Sequence, residues 1–321
     1  MVDLRRNRYR AEDVVDAGPT WRAAALMLRP IRTPHIYIPQ LPAILGHSLN
    51  LKVFLKDESQ QPGRSVKGRV AYAMAKQSRE SGRQIVESSS GNLALGLGYW
   101  CRELGAARPV CLIDECCEES MISALSEVGC VLEVVPLTCR EQQEQSGVFK
   151  RINRAKDYAE RGYYWPDQYD CPDWIRVHQE TTGPEIWGDR RTYDAVVGAV
   201  GTGATMSGVA LAQPAGGRTR LVAVEPDGST IFGKHAGAYR VAGAGNPFTP
   251  QNYRRELMDS EVTIEDSASF GAVRKLRAAG LAIGSSGAMA VVGALRAAKR
   301  LDGELKSALV IVADDGWYEP I

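Results

Sequence analysis

The sequence predicts an α/β protein built from two parallel-sheet domains, each with three layers of helix, sheet and helix. Short apolar runs alternate with helical patterns in two blocks, one over 84–135 and one over 194–312. Short apolar strands joined by helices are typical of parallel sheets that are covered on both faces. No long linker separates the blocks, and we place the division near residue 165.

Composition excludes several classes of protein. The 321 residues are 44% hydrophobic and 24% charged, with a net charge of +1, which favours a globular protein that binds neither nucleic acid nor membranes. No apolar run approaches the roughly 18 residues of a membrane span, and no apolar segment follows the basic N-terminus as in a secretory signal. The seven cysteines form no Cys-x-x-Cys and the four histidines are scattered, so we expect reduced thiols, a cytoplasmic location and no metal site.

Ahead of the first block, residues 1–31 read as a polar helix and 51–56 alternate like a strand. A turn-rich loop, 61–69, then leads into a helix that extends to about Ser78. The elements expected after it are strands at 84–87, 109–113 and 130–135, and helices at 93–104, 118–128 and roughly 140–161.

The second block begins with the buried strand 194–200, and a glycine-rich loop follows it directly. Residues 226–256 are rich in glycine and proline and read as a loop. The other elements expected here are strands at 220–224 and 308–312, and helices at 205–212, 267–279 and 288–300.

Lys67 lies where the loop 61–69 becomes a helix. The positive end of the helix dipole disfavours a protonated amine there, and a neutral lysine is a nucleophile that forms Schiff bases with carbonyl groups. Taken alone, the position favours an ordinary surface lysine, because most lysines are exposed.

The loop Gly201-Thr202-Gly203-Ala204-Thr205 connects a buried strand to a helix. Backbone N–H groups, hydroxyls and a helix N-terminus favour a phosphate at such a loop. Met206 breaks the dinucleotide-binding spacing, and the lysine of a P-loop is missing, so the pattern indicates a monophosphate site. A tight turn that lets helix and sheet pack closely is the alternative.

Two serine-rich loops also precede helices. Residues 88–92 follow a strand, where open α/β sheets bind ligands, and Ser89, Ser90 and Asn92 could hold a carboxylate. Residues 284–288 form the second loop, which contains Ser285. Simple helix capping explains each loop when it is taken alone.

Together these motifs match one cofactor. Pyridoxal phosphate has an aldehyde, a phosphate, a phenolic oxygen and a pyridine nitrogen, and each has a candidate partner here. The order of motifs resembles the fold-type II, tryptophan-synthase-β-like family of pyridoxal phosphate enzymes, in particular cysteine synthases, over about residues 30–315.

The resemblance implies a role for each residue. Lys67 would bind the cofactor aldehyde, Asn92 the phenolic oxygen and Ser285 the pyridine nitrogen. The phosphate would lie on the loop from Gly201 to Thr205. The substrate carboxylate would be held by Ser89, Ser90, Asn92 and Gln168. A neutral serine at the ring nitrogen stabilises a pyridinium poorly, which favours β-replacement, with Lys67 as the base that removes the Cα proton.

The resemblance also implies a smaller, mobile substrate-binding domain at 45–165, a larger phosphate-binding domain at 1–44 plus 166–321, and a homodimer. Leu93 and Tyr169, with the segment 224–233, are similar to a siderophore branch that joins O-phospho-L-serine to L-glutamate on the way to 2,3-diaminopropionate. The Tyr169 hydroxyl would then bind the second amino acid. Arg64, Arg69 and Arg240 are candidate anion partners, although each also fits an ordinary ion pair.

Three departures from the family pattern stand out: Gly68 after the lysine, Ala204 in the phosphate loop, and the segment Ala313-Asp314-Asp315-Gly316-Trp317-Tyr318. Four functions remain open. They are β-replacement with glutamate, cysteine synthesis with sulfide, β-elimination from serine or threonine, and an inactive regulatory or scaffold relative.

Overall fold

A computed structural model describes residues 30–137, 147–188, 192–301 and 304–319. The helix expected over 1–31 lies almost wholly outside these ranges, and so does the start of the helix expected over 140–161. The described chain contains two sheets, and no helix in it is long and apolar enough to cross a membrane.

The larger sheet has six strands in the order β1-β2-β9-β6-β7-β8. Only β1 is antiparallel to its neighbour. The strands are β1 His35–Tyr37, β2 Lys52–Asp57, β6 Ala195–Ala199, β7 Arg220–Pro226, β8 Ser260–Ile264 and β9 Ser307–Val312. Neither β1 nor β8 was predicted from the sequence, because β1 is short and because polar residues alternate along β8, an edge strand.

The smaller sheet has three parallel strands, β3 Val86–Ser88, β4 Val110–Asp114 and β5 Val131–Val135. It lies wholly within the segment 45–165. However, β2 lies in the same segment and pairs with β9 of the larger sheet, so the boundary drawn at residue 45 does not separate the two sheets. A boundary after β2 agrees better with the pairing, and the division into domains stays a prediction.

The helices fill the connections between strands. They are α1 Leu41–Ile44, α2 Lys67–Ser81, α3 Asn92–Leu104, α4 Glu119–Glu127, α5 Gly147–Glu160, α6 Asp173–Glu180, α7 Thr182–Trp187, α8 Ala204–Leu211, α9 Asp266–Ala278 and α10 Ser285–Arg300. The short helices α1, α6 and α7 are additions to the sequence prediction.

Both sheets are covered on both faces, which confirms the predicted α/β class. In the larger sheet, Val197 and Val310 point into a core with α9 and α10, whereas Val196 and Leu309 point into a core with α8. In the smaller sheet, Leu112 packs toward α5 and its neighbour Cys111 toward α3 and α4. The alternation of side chains along each strand therefore builds three layers.

Candidate active site

A cavity of about 370 Å³ lies at the carboxyl ends of strands from both sheets. The loops that follow β3, β6 and β9 supply its walls, and Lys67 lies on it. The predicted site residues on its walls are Lys67, Ser89, Ser90, Asn92, Gln168, Tyr169, Gly201 and Thr202. A narrow cleft joins Lys67 to Gly203 and Thr205 as well. The structure thus brings together residues that are far apart in the sequence.

Lys67 is the first residue of α2, as predicted. Burial lowers the pKa of its amine, and the nearby Asp314 opposes that shift. A lowered pKa of Lys67 agrees with the sequence prediction, but its main physical cause is the loss of solvent around the amine rather than the helix dipole.

Gly68 is explained by close packing. A Cβ atom at this position would lie 2.2 Å from the carbonyl oxygen of Pro62, so the loop before the lysine leaves no room for a side chain. The Gly68 carbonyl in turn accepts a hydrogen bond from Trp100 Nε1 at 2.8 Å. These contacts hold the loop and the first turn of α2 in one arrangement.

The glycine loop 201–205 turns sharply from β6 into α8. Gly203 has a φ of +85°, and a Cβ there would lie 2.5 Å from the backbone of Tyr253, so both conformation and space require glycine. Ala204 is not among the non-glycine residues with positive φ in the described chain, so its methyl group is accommodated without backbone strain.

His178 supports this loop and was not singled out from the sequence. Its Nε2 lies 3.2 Å from Thr205 Oγ1 and its Nδ1 lies 2.9 Å from Thr182 Oγ1. Burial, Arg69 and Lys67 hold the pKa of His178 well below its usual value, so the ring is neutral and fixes the Thr205 hydroxyl. No local motif marks this histidine, because its partners come from two other helices.

The loop 88–92 carries its polar groups on the cavity wall. Ser89 Oγ accepts a hydrogen bond from the Ala94 amide at 3.2 Å, so this serine also satisfies a free amide in the first turn of α3. Gln168 reaches across from the other side, and its Nε2 donates to the Ser88 carbonyl at 2.8 Å. The four residues expected to hold a substrate carboxylate are therefore neighbours, and their roles stay a prediction.

The structure separates the two serines that begin α10. The Ser285 hydroxyl accepts from the Ala242 amide at 2.9 Å and bonds to Glu319 Oε1 at 3.0 Å. Ser286 lines the cleft beside Lys67, and its buried Oγ has no hydrogen-bond partner among the described residues. Ser286 therefore lies on the cleft beside Lys67, whereas the Ser285 hydroxyl is engaged by Ala242 and Glu319, and the role expected for Ser285 stays a prediction.

Of the arginines selected from the sequence, Arg69 is occupied elsewhere. It is 1% exposed and forms ion pairs with Glu58 and Glu185. Arg64 pairs with Asp315 on a different groove, and Arg240 stacks over Phe270. Arg151, which the sequence analysis did not select, lines the cavity instead.

Two observations fit the expected cofactor, pyridoxal phosphate. Asn92 and Ser286 line the space beside Lys67, and their buried atoms Oδ1 and Oγ have no hydrogen-bond partners among the described residues. The glycine loop adds backbone and hydroxyl donors around the same space. In the described ranges no group of three or more histidine, cysteine or acidic side chains is arranged to hold a metal ion.

Comparison with known proteins gives consistent matches over most of the chain. The family model described as "Pyridoxal-phosphate dependent enzyme" matches residues 26–314. A cysteine synthase of Staphylococcus aureus strain N315 is 31% identical over 274 residues, covering 82% of this chain and 86% of that protein.

Solved structures match as well. An O-acetylserine-dependent cystathionine β-synthase from Helicobacter pylori superposes with a TM-score of 0.77 and 27% identity, covering 89% of this chain and 93% of that one. O-ureido-L-serine synthase superposes with a TM-score of 0.79 and 25% identity, covering 91% of each chain.

Proposed function

The chain belongs to the family of pyridoxal-phosphate-dependent enzymes, and from that premise we propose that it joins an amino-acid nucleophile, with L-glutamate favoured, to an activated L-serine, with O-phospho-L-serine favoured. It is a cysteine synthase-like β-replacement enzyme that uses pyridoxal phosphate. The proposed pair of substrates is the one used in the formation of 2,3-diaminopropionate for a secondary metabolite.

The observation that carries this choice is a second chamber. A space of about 470 Å³ adjoins the Lys67 cavity, and the two share walls formed by Ser90, Asp114, Cys116, Arg151, Tyr169, Gly245 and Asn246. Sulfide needs no such space. A second amino acid does, and the additional volume suits a substrate of that size.

Arg151 stands between the two chambers and supports an anionic second substrate. Its Nη1 pairs with Asp114, whereas its buried Nε has no hydrogen-bond partner among the described residues. Arg151 lines both chambers, and a guanidinium group at such a position is suited to bind a carboxylate. We assign Arg151 to a carboxylate of the incoming amino acid.

Tyr169 lies on the same shared wall. Burial raises its pKa to about 12, so the phenol keeps its proton and can donate a hydrogen bond to a carboxylate. Its ring packs edge-on against Phe248 with the centroids 5.3 Å apart, which fixes its orientation. This geometry supports the role inferred for a tyrosine at this position.

The remaining residues fit the chemistry of β-replacement. Bound pyridoxal phosphate supplies the conjugated ring that stabilises negative charge at Cα. Lys67, with its lowered pKa, is suited to take the proton from Cα as a neutral amine. The 88–92 loop and Gln168 line the cavity and would orient the substrate carboxylate. Thr202 and Thr205 line the cleft beside Lys67 and would donate their hydroxyls to the cofactor phosphate.

Two of the matched structures support a nucleophile other than sulfide. One is a cystathionine β-synthase and the other is an O-ureido-L-serine synthase, so enzymes with this fold make products other than cysteine. Cysteine synthesis is the second candidate, because the Staphylococcus aureus relative is a cysteine synthase.

A product assay tests the proposal. The holoenzyme is incubated with O-phosphoserine, O-acetylserine or serine, each with glutamate or sulfide, and the products are identified by mass spectrometry. We expect a glutamate adduct, formed fastest from O-phosphoserine. Cysteine as the only product would select the cysteine synthase function, and pyruvate or 2-oxobutyrate from serine or threonine would indicate β-elimination. No turnover with any pair would support an inactive relative.

A pair of variants tests the role of Arg151. Arg151→Gln removes the charge between the chambers, and we expect the KM for glutamate to rise about ten- to a hundredfold while the KM for the serine donor changes little. The matched control is Arg154→Gln, on the same helix, because Arg154 pairs with Glu133 and does not line either chamber. Equal effects of both substitutions on glutamate would overturn the assignment. The homodimer expected from the resemblance remains a proposal that sedimentation of the holoenzyme can test.

A further inference from the structure

The C-terminal segment that departs from the family pattern brings an acidic side chain into the cofactor cavity. Asp314 is 1% exposed and lies on the cavity wall with Lys67 and Asn92. Its Oδ1 accepts from the Gly316 amide at 3.0 Å, and its backbone forms an antiparallel bridge with Ser65, in the loop that leads to the lysine. The position of this carboxyl is therefore fixed from two sides.

The carboxyl of Asp314 also holds the amide of Asn92. Asn92 Nδ2 donates to Asp314 Oδ2 at 2.7 Å and lies 3.3 Å from the Tyr318 hydroxyl, which is itself 3.5 Å from Asp314 Oδ2. The family resemblance assigns this same Asn92 amide to the phenolic oxygen of the cofactor. A side-chain amide has only two N–H donors, so Asp314, Tyr318 and the cofactor share them.

The ionisation of Asp314 decides whether this sharing is favourable. A carboxylate and a phenolate next to the same amide are two negative charges in a space with little water, and they repel each other. A protonated carboxyl removes the repulsion and still accepts the amide hydrogen bond. Burial raises the pKa of Asp314, with a contribution from Asp315, although Asn92, Gly316 and Lys67 act in the opposite direction.

We propose that Asp314 is a positioning residue for the cofactor, which in its protonated form orients the Asn92 amide toward the phenolic oxygen and in its ionised form repels that oxygen. The inference rests on the cofactor of the family and on Asn92, and it does not involve the second substrate. Its test therefore needs neither donor nor nucleophile, and it can fail while the proposed function stands.

Other titratable groups face the same carboxyl. They are Lys67 on α2, and Asp315, Tyr318 and Glu319 in the C-terminal segment. Glu319 matters most as a control, because burial, with Asp314, raises its pKa to about 7. It contacts Ser285 on α10 and lies 3.9 Å from Arg277 on α9.

The experiment measures the dissociation constant of pyridoxal phosphate from the holoenzyme by visible absorbance, from mildly acidic to alkaline pH. Asp314→Asn keeps the shape of the side chain and stays neutral at every pH. We expect the ratio of the wild-type constant to the D314N constant to rise about tenfold per pH unit above the midpoint of Asp314. D315N and E319Q retain Asp314 and should keep a pH-dependent constant, with the midpoint moved to lower pH because each removes a neighbouring negative charge.

A double variant separates the route through Asn92 from a direct effect on Lys67. In an Asn92→Ala background, the further substitution D314N should change the pH dependence of the constant less than it does in the parent, because only the direct repulsion by the carboxylate then remains. Three outcomes overturn the proposal: a ratio that does not change with pH, a pH effect of the same size with and without Asn92, or loss of cofactor binding at neutral pH in both D314N and D314S. The last outcome counts because a neutral side chain is claimed to be sufficient.

Discussion

Helix α2 begins between two buried polar regions that differ in how completely their groups are paired. Arg69 donates to both Glu58 and Glu185 at 2.6–2.9 Å. Lys56 lies 2.7 Å from Glu185 and 2.8 Å from Thr33, so two cations face two carboxylates. Two residues before Arg69, Lys67 faces a cavity in which Asn92 Oδ1 and Ser286 Oγ lack partners among the described residues.

This comparison shows how neighbouring positions on one helix can serve opposite purposes. In the Arg69 cluster, each charge is offset and hydrogen-bonded, which fixes the surrounding segments and leaves no donor for a ligand. At Lys67 the amine has a lowered pKa, and the polar atoms around it are available for a cofactor. Complete pairing therefore marks structure here, and incomplete pairing marks the site.

The sharpest test of the comparison is Lys67→Ala. Because Lys67 is assigned both the attachment to the cofactor and the removal of a proton, we expect turnover to fall by at least about a thousandfold. Borohydride trapping and peptide mapping should label position 67 in the parent and lose that label in the variant. The control is Lys76→Ala on the exposed face of α2, where the lysine only pairs with Glu80. A label elsewhere in the parent would contradict the whole assignment.

Arg69→Met should lower the stability of the fold, in contrast to Lys67→Ala, which should lower turnover. It leaves Glu58 and Glu185 buried with too little positive charge, and we expect a loss of about 3–5 kcal/mol in the free energy of unfolding. Denaturant titration of the parent holoenzyme, R69M and K67A measures the free energy of unfolding of each. We expect K67A to lose far less stability than R69M. If R69M were as stable as the parent, the Arg69 cluster would not hold the fold together.

The smallest expected effect is a pH dependence of stability. Although burial opposes the shift, Arg69 and Lys56 lower the pKa of Glu58 from 4.5 to about 2. A lowered carboxyl pKa stabilises the fold above the ordinary value, and this stabilisation is lost as the pH falls from about 4.5 to about 2. Acid titration followed by circular dichroism should show this loss in the parent and a weaker one in R69M. Identical acid profiles of the parent and R69M would show that Arg69 does not stabilise the ionised form of Glu58.

Much of the fold could be predicted because its strands are short apolar runs at regular spacing. The pairing of β2 with β9 could not, since those residues lie about 250 positions apart and nothing local marks the partner. The same limit explains β8, whose alternating polar residues are typical of an edge strand but also fit a loop.

For the site, residues within one motif were predicted together, whereas residues that act across motifs were not. Lys67, Asn92 and the 201–205 loop meet as expected, because each lies at the end of a strand or the start of a helix. Arg151 and His178 lie within helices, and only tertiary packing brings them to the cavity and the loop. Arg69 shows the reverse, because an arginine beside the lysine was chosen for its position and is used for structure.

The position of β9 has a consequence for how the protein matures. This strand follows every other strand in the described chain, yet it lies between β2 and β6 near the middle of the larger sheet. Until residues 307–312 leave the ribosome, β2 and β6 have no strand between them with which both can pair. The segment that carries Asp314 is not in place until then either. Capture of vitamin B6 by the nascent polypeptide must therefore wait until β9 has been synthesised and has entered the sheet.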